Sequence, residues 1–130
     1  MPRAEVRVYI EADGSSPFLE WIDDQHPNVR VKLLQRLERL AELGYEIRRP
    51  EADVLRGGVH ELRVGYRGRN YRVLYFFHGQ LVAILSHGLT KERTVPSKEI
   101  DIAIARKKAV EANPSRHAAA YISLREAGDQ

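Results

Sequence analysis

The sequence predicts a small α+β domain, and three observations carry that prediction. The chain has 130 residues, 43% hydrophobic and 30% charged, a size and balance that suit one domain with a real core. Apolar residues recur at helical spacing between Pro17 and Leu43 and again after Ser97, whereas residues 59–86 follow a period of two. The expected architecture is a small antiparallel sheet with an N-terminal helical hairpin and a C-terminal helix. Residues 1–114 form that domain and residues 115–130 a tail.

Residues 5–11 alternate Val6, Val8 and Ile10 against Arg7, Tyr9 and Glu11, the pattern of a half-buried strand. Ser16 and Pro17 then open a helix, because a serine hydroxyl accepts from free first-turn amides and proline fits the first helical position. Phe18, Trp21 and Ile22 are its core stripe. After Pro27, with Asn28 as the expected cap, a second helix places Leu33, Leu37 and Leu40 on one stripe with Leu34 and Ala41 beside them, and Gly44 ends it.

From Val59 the alternation puts Glu61 and Arg63 on one face and His60, Leu62 and Val64 on the other. A turn over residues 65–70 leads to the strand Tyr71 to Phe77, and a His78-Gly79 turn leads to Leu81 to Ser86, giving a three-stranded antiparallel meander. Apolar residues on both faces of its middle call for helices over at least one side. Ser97 is the expected cap of a final helix reaching Ala112, with Ile100, Ala103 and Ile104 buried, Arg106-Lys107-Lys108 at its negative pole, and Asn113-Pro114 as its stop. The tail is expected as disorder or as a short helix around Tyr121, Ile122 and Leu124.

The chain has no cysteine, which excludes disulfides, thiolate metal sites and cysteine nucleophiles and makes the cytoplasm the default location. Its strongly apolar stretches, Val73–Phe77 and Leu81–Leu85, fall far short of the roughly 20 residues a membrane helix needs. The opening Met-Pro-Arg-Ala-Glu does not read as a signal peptide. No Walker-type loop, nucleophile elbow, zinc-protease or paired-cysteine motif occurs, so neither cofactor nor metal is expected.

Net charge is +3, but between Val54 and Thr94 seven Arg and Lys stand against two acids, a surplus of five positive charges in one region. Such a surface suits phosphates. Arg63 projects from one strand, Arg72 from the next, and Lys91 with Arg93 follow the third, so strands about 4.8 Å apart can bring these groups onto one phosphate. Arg72 interrupts an apolar run, where an unpaired guanidinium is costly to desolvate. Its partner is either a carboxylate such as Glu61 or a phosphate, and the same alternative holds for Arg63. Of the nearby histidines, His78 reads as a turn residue, His87 as a hydrogen-bonded structural one, and His60 faces away from Arg63. Tyr66 and Tyr71 suit stacking on bases, although a helix-covered sheet explains Tyr71 equally well.

Four ordered motifs then stand out: Leu55-Arg56-Gly57-Gly58-Val59-His60-Glu61-Leu62-Arg63, Gly68-Arg69-Asn70-Tyr71-Arg72-Val73-Leu74-Tyr75, Leu85-Ser86-His87-Gly88-Leu89-Thr90-Lys91-Glu92-Arg93, and Pro96-Ser97-Lys98-Glu99-Ile100. The series resembles the phage-derived HigB-like branch of the RelE/ParE toxin superfamily. That resemblance implies a RelE-like, microbial-RNase-like fold with two helices on one side of a small sheet. It also implies ribosome-dependent cleavage of mRNA by a metal-independent endoribonuclease, and inhibition by a cognate antitoxin of helix-turn-helix type. By motif position, Arg63 matches the family's phosphate-binding residue, Arg72 the arginine that stabilises the transition state, and Lys91 the residue that assists proton transfer. Arg67, Arg69, Arg93 and Lys98 are the further RNA contacts expected. Some relatives carry a second basic residue where Glu61 stands here, and others a catalytic tyrosine near Ser97-Lys98. On this reading Arg72→Ala abolishes toxicity and leaves the fold largely intact. The residues also admit a non-catalytic RNA- or ribosome-binding protein on the same fold, or a protein-interaction adaptor.

Overall fold

A computed structural model describes residues 4–90 and 94–120. In chain order the elements are β1 (Glu5–Tyr9), α1 (Pro17–Asp23), α2 (Pro27–Leu43), a 3-10 turn (Gly44–Glu46), β2 (Ala52–Val54), β3 (Val59–Tyr66), β4 (Arg69–His78), β5 (Val82–Thr90), α3 (Ser97–Ala112), α4 (Pro114–His117) and β6 (Ala118–Ala120). The strands form one sheet in the order β2-β3-β4-β5-β1-β6. The α+β class and the β3-β4-β5 meander are as expected. The expected all-antiparallel sheet is corrected, because β1 lies parallel to β5, Val8 opposite Leu85. Such a pairing requires a long crossover, and local periodicity carries no trace of it.

Ser16 caps α1 by accepting from the Leu19 amide. The cap of α2 is His26, whose Nδ1 accepts from the Asn28 amide, and not Asn28 itself. The buried stripe of α2 is Val29, Leu33, Leu37 and Leu40, while Leu34 lies exposed beside it. The two helices do not form the expected hairpin. Each is laid on the sheet instead, α1 against β5 and β1, α2 against β3 and β1. Both cover the face that carries Leu62, Val64, Tyr71, Val73, Tyr75 and Leu85. Burying each large apolar side chain of this core contributes roughly 1.5–3 kcal/mol.

The opposite face is covered by α3, which packs Ile100 and Ala103 on Val59, Leu74 and Leu89, and Val110 on Tyr9, Phe76 and Ile84. The N-cap of α3 is Pro96, with no side-chain capping bond. Ser97, the expected cap, is the first helical residue and accepts from Arg56 Nη2 at 2.7 Å, tying the β2–β3 loop to the helix start. The expected helix around Tyr121 lies outside the described residues. Ala118–Ala120 before it pairs antiparallel with β1. Among the described residues no helix is long and apolar enough to cross a membrane.

Candidate nucleic-acid interface

The β3–β4 hairpin positions the arginines. Arg67 and Gly68 form its two-residue turn, both at positive φ (50° and 78°), the geometry of a type I′ turn that matches the strand twist. The expected turn over residues 65–70 is therefore tighter, and both strands run on to Tyr66 and Arg69. This register sets Arg63 directly opposite Arg72. The Arg63 amide donates to Glu51 O on the β2 side, so it does not bond to β4. The pair is consequently one whose side chains approach most closely.

Two like charges directly opposite each other destabilise a sheet, and Glu61 resolves the conflict. It lies on the same face, only 1% exposed. Its carboxylate accepts from Arg72 Nη1 at 2.8 and 3.0 Å and from Arg63 Nε at 2.7 Å. Arg63 Nη2 also donates to Asp53 Oδ2 at 3.1 Å, and Arg49 donates to the same oxygen. Asp53 is held below the usual carboxylate range mainly by the Arg49 hydrogen bond, with both arginine charges adding to it. Among the described residues three guanidiniums thus meet two carboxylates. The arginines differ in access: 12% of the Arg72 side chain is exposed and 37% of Arg63.

This pairing changes what is expected of Arg72→Ala. It leaves the buried Glu61 with Arg63 as its remaining partner among the described residues and should cost up to about 3–5 kcal/mol, the magnitude for a broken buried pair. Charge-preserving substitutions are the informative ones.

The remaining expected site residues divide into two groups. Arg67 and Arg69 are exposed at the hairpin tip, with Arg67 over the Tyr66 ring at 5.3 Å. Lys98 is exposed in the first turn of α3. Lys91 and Arg93 lie outside the described residues. Tyr71 is core, and Tyr66 is tethered to α2 by Asn28, which donates to its hydroxyl at 2.9 Å. Neither tyrosine forms an open stacking platform.

Behind the arginine pair lies a polar network that periodicity did not reveal. A bulge in β5 inserts Ser86 between the residues opposite Tyr75 and Leu74. Arg106 reaches Ser86 Oγ (3.2 Å), His87 Nδ1 (3.0 Å) and Glu11 Oε1 (3.1 Å). It therefore turns inward and does not sit at the helix pole, and Lys107 pairs with Glu111. His87 Nε2 faces Glu99 at 3.5 Å. Burial lowers the His87 pKa, with Arg106 adding to this and Glu99 opposing it. Ser86, His87 and Glu99 resemble a nucleophilic triad in composition only. Ser86 is fully buried, and Arg106 already donates to the ring nitrogen nearest its hydroxyl, so that nitrogen is not free to take a proton. The network braces α3 against β5. Arg106 was missed because its charge reads as solvent-facing until Glu11, far away in sequence, is placed beside it.

Taken together, this is a small α+β protein that presents a carboxylate-braced arginine pair on a partly open sheet face. Residues 20–108 match the family model described as phage derived protein Gp49-like (DUF891), and the chain belongs to that family. No curated protein matches it.

Proposed function

We propose that the protein is the toxin of a type II toxin–antitoxin system, a RelE/HigB-like endoribonuclease that cuts mRNA on the ribosome. One observation carries the reading: Arg63 and Arg72 stand side by side on the sheet, oriented by a buried carboxylate and followed by exposed arginines at the hairpin tip. Membership of the Gp49-like family supports it. Preorganised cations stabilise charge that develops on a phosphoryl group, because they need no reorganisation at the moment of reaction.

In the proposed reaction a ribose 2′-hydroxyl gives up its proton and its oxygen bonds to the adjacent phosphorus. The bond to the 5′-oxygen breaks, and that oxygen takes up a proton, leaving a 2′,3′-cyclic phosphate and a 5′-hydroxyl end. Arg63 binds the phosphate, Arg72 stabilises the pentavalent transition state, and Lys91 assists proton transfer. Arg67, Arg69, Arg93 and Lys98 hold the surrounding backbone. The proposed partners are mRNA, the ribosome and a cognate helix-turn-helix antitoxin, in the cytoplasm.

The test is induced expression followed by mapping of mRNA 5′ ends, comparing wild type with Arg72→Lys. The lysine keeps a charge for Glu61 but loses the planar fork that bridges two oxygens. New 5′-hydroxyl ends with wild type, and at least roughly hundredfold fewer with the variant, are expected for loss of one preorganised donor. A folded Arg72→Lys protein that cuts like wild type rejects the assignment. The pairing of both arginines with carboxylates favours a second reading, a non-catalytic RNA- or ribosome-binding protein. That protein arrests translation without producing new ends.

A further inference from the structure

We propose that Gly65 marks a subsite for the nucleotide flanking the phosphate at Arg63 and Arg72, its missing side chain serving binding rather than folding. The proposal rests on the phosphate-binding reading above. Glycine inside a strand weakens it, and is retained where the backbone needs positive φ or where something approaches closely. Among the described glycines, Gly14, Gly44, Gly57, Gly58, Gly68 and Gly79 have positive φ. Gly88 has a close neighbour: a Cβ there would lie 2.1 Å from the Trp21 ring. Gly65 has neither reason. Its backbone is outside the left-handed region, and among the described residues a Cβ on it would meet nothing within 4 Å. The described part of the fold therefore has room for a side chain at this position.

Its location gives the space a use. Strand alternation puts Gly65 on the face of Glu61 and Arg63, and its cross-strand partner is Asn70, the next pair on that face after Arg63 and Arg72. Two residues of strand span roughly 6.6 Å, about the step from a phosphate to the sugar and base beside it. Gly65 is exposed. Beyond it the turn begins at Arg67, whose guanidinium lies over the Tyr66 ring, and Arg69, paired with Tyr66, lies on the opposite face. A single-stranded ribonucleotide laid along the hairpin then has the Arg63 and Arg72 pair at one end and, among the described residues, an open floor at Gly65. Single-stranded segments are the form in which RNA bases are splayed and accessible.

The test compares wild type, Gly65→Ala, Gly65→Val and Arg72→Lys. Each is measured for thermal unfolding, for binding of a short single-stranded RNA by fluorescence anisotropy at low salt, and for mRNA cleavage in a purified translation system. Gly65→Val should fold with an unchanged or higher Tm, because valine favours extended backbone. It should bind RNA and cleave mRNA at least roughly tenfold more weakly, a loss equivalent to about 1.4 kcal/mol, with Gly65→Ala between. Gly65→Val that binds and cuts like wild type, beside an impaired Arg72→Lys, overturns this proposal alone. So does a Gly65→Val chain that fails to fold, since the glycine is then structural. Wild type that neither binds nor cuts RNA overturns the underlying reading as well.

Discussion

The two faces of the sheet are built differently. The face under α1 and α2 is a continuous apolar core in which every inward position of β4 from Tyr71 to Phe77 is buried against hydrophobic neighbours. The face under α3 is divided: Leu74, Phe76, Ile84 and Leu89 pack on the helix, while Glu61, Arg63 and Arg72 occupy the part toward the hairpin. One face holds the molecule together through area removed from water. The other adds a charged group whose members tolerate burial only because they hold one another.

The largest effect that distinguishes the faces is expected at adjacent positions of β3. Glu61→Ala leaves two close guanidiniums without their shared carboxylate and should cost about 3–5 kcal/mol. Leu62→Ala, pointing the other way, should cost about 2–5 kcal/mol through its cavity. Both losses are read from urea unfolding. The contrast lies in rescue: adding Arg72→Met to Glu61→Ala should recover much of the first loss and none of the second. A Glu61→Ala protein within about 1 kcal/mol of wild type would show that solvent reaches this group freely, against the buried-pair magnitude.

A smaller effect is expected where α1 meets β5. Gly88→Ala drives a methyl into the Trp21 ring, and overpacking of this kind costs about 1–3 kcal/mol. The same substitution at Gly65 should cost nothing. Equal losses at both glycines would remove the distinction between a glycine required by packing and one left open for a ligand.

Acid should weaken both faces through one histidine each. Burial lowers the pKa of His60, with Arg48 adding to it, where the ring stacks on Tyr75 at 5.1 Å. Burial and Arg106 do the same for His87 on the other face. Each ring is held neutral in the fold and takes up its proton more readily once unfolded. Stability is therefore full above the unfolded value, roughly pH 6.5, and falls as pH drops from there toward the lowered folded values. Asp53 and Glu51 are also lowered, through hydrogen bonds from Arg49 and Arg39 respectively, but their loss begins only near the ordinary carboxylate range. Between pH 7 and 5 the histidines set the slope. Thermal unfolding of His60→Phe over that range should show a shallower decline than wild type, and an unchanged slope would assign the effect to His87.

Much of this arrangement was legible in the sequence because it is local. Alternation in β3 already separated Glu61 and Arg63 from His60, Leu62 and Val64. The apolar run around Arg72 demanded a partner, with Glu61 as one choice. What was not legible depends on distant pairings. The parallel β1–β5 contact, the short β2 strand that brings Asp53 to Arg63, and the turn of Arg106 toward Glu11 each join residues that no local period relates. The α2 cap was misplaced by two residues for a simpler reason. His26 can accept from an amide as Asn28 can, and the proline between them fits the first helical position after His26.

The smallest effect on stability concerns the hairpin tip. Arg69 is exposed, so Arg69→Ala should change stability by less than about 0.5 kcal/mol. Arg67→Ala loses the stacking of a cation on Tyr66, worth about 0.5–1 kcal/mol at an exposed site. If the tip lies on an RNA backbone, each substitution should lower the slope of log affinity against log salt by about 0.7, the contribution of one phosphate contact on a single strand. Arg63→Lys, which keeps its charge, should preserve that slope while weakening binding, because the fork and not the charge is lost. A tip whose substitutions leave the slope untouched is not on the RNA, and contact would then be confined to the carboxylate-braced pair and the open floor beside it.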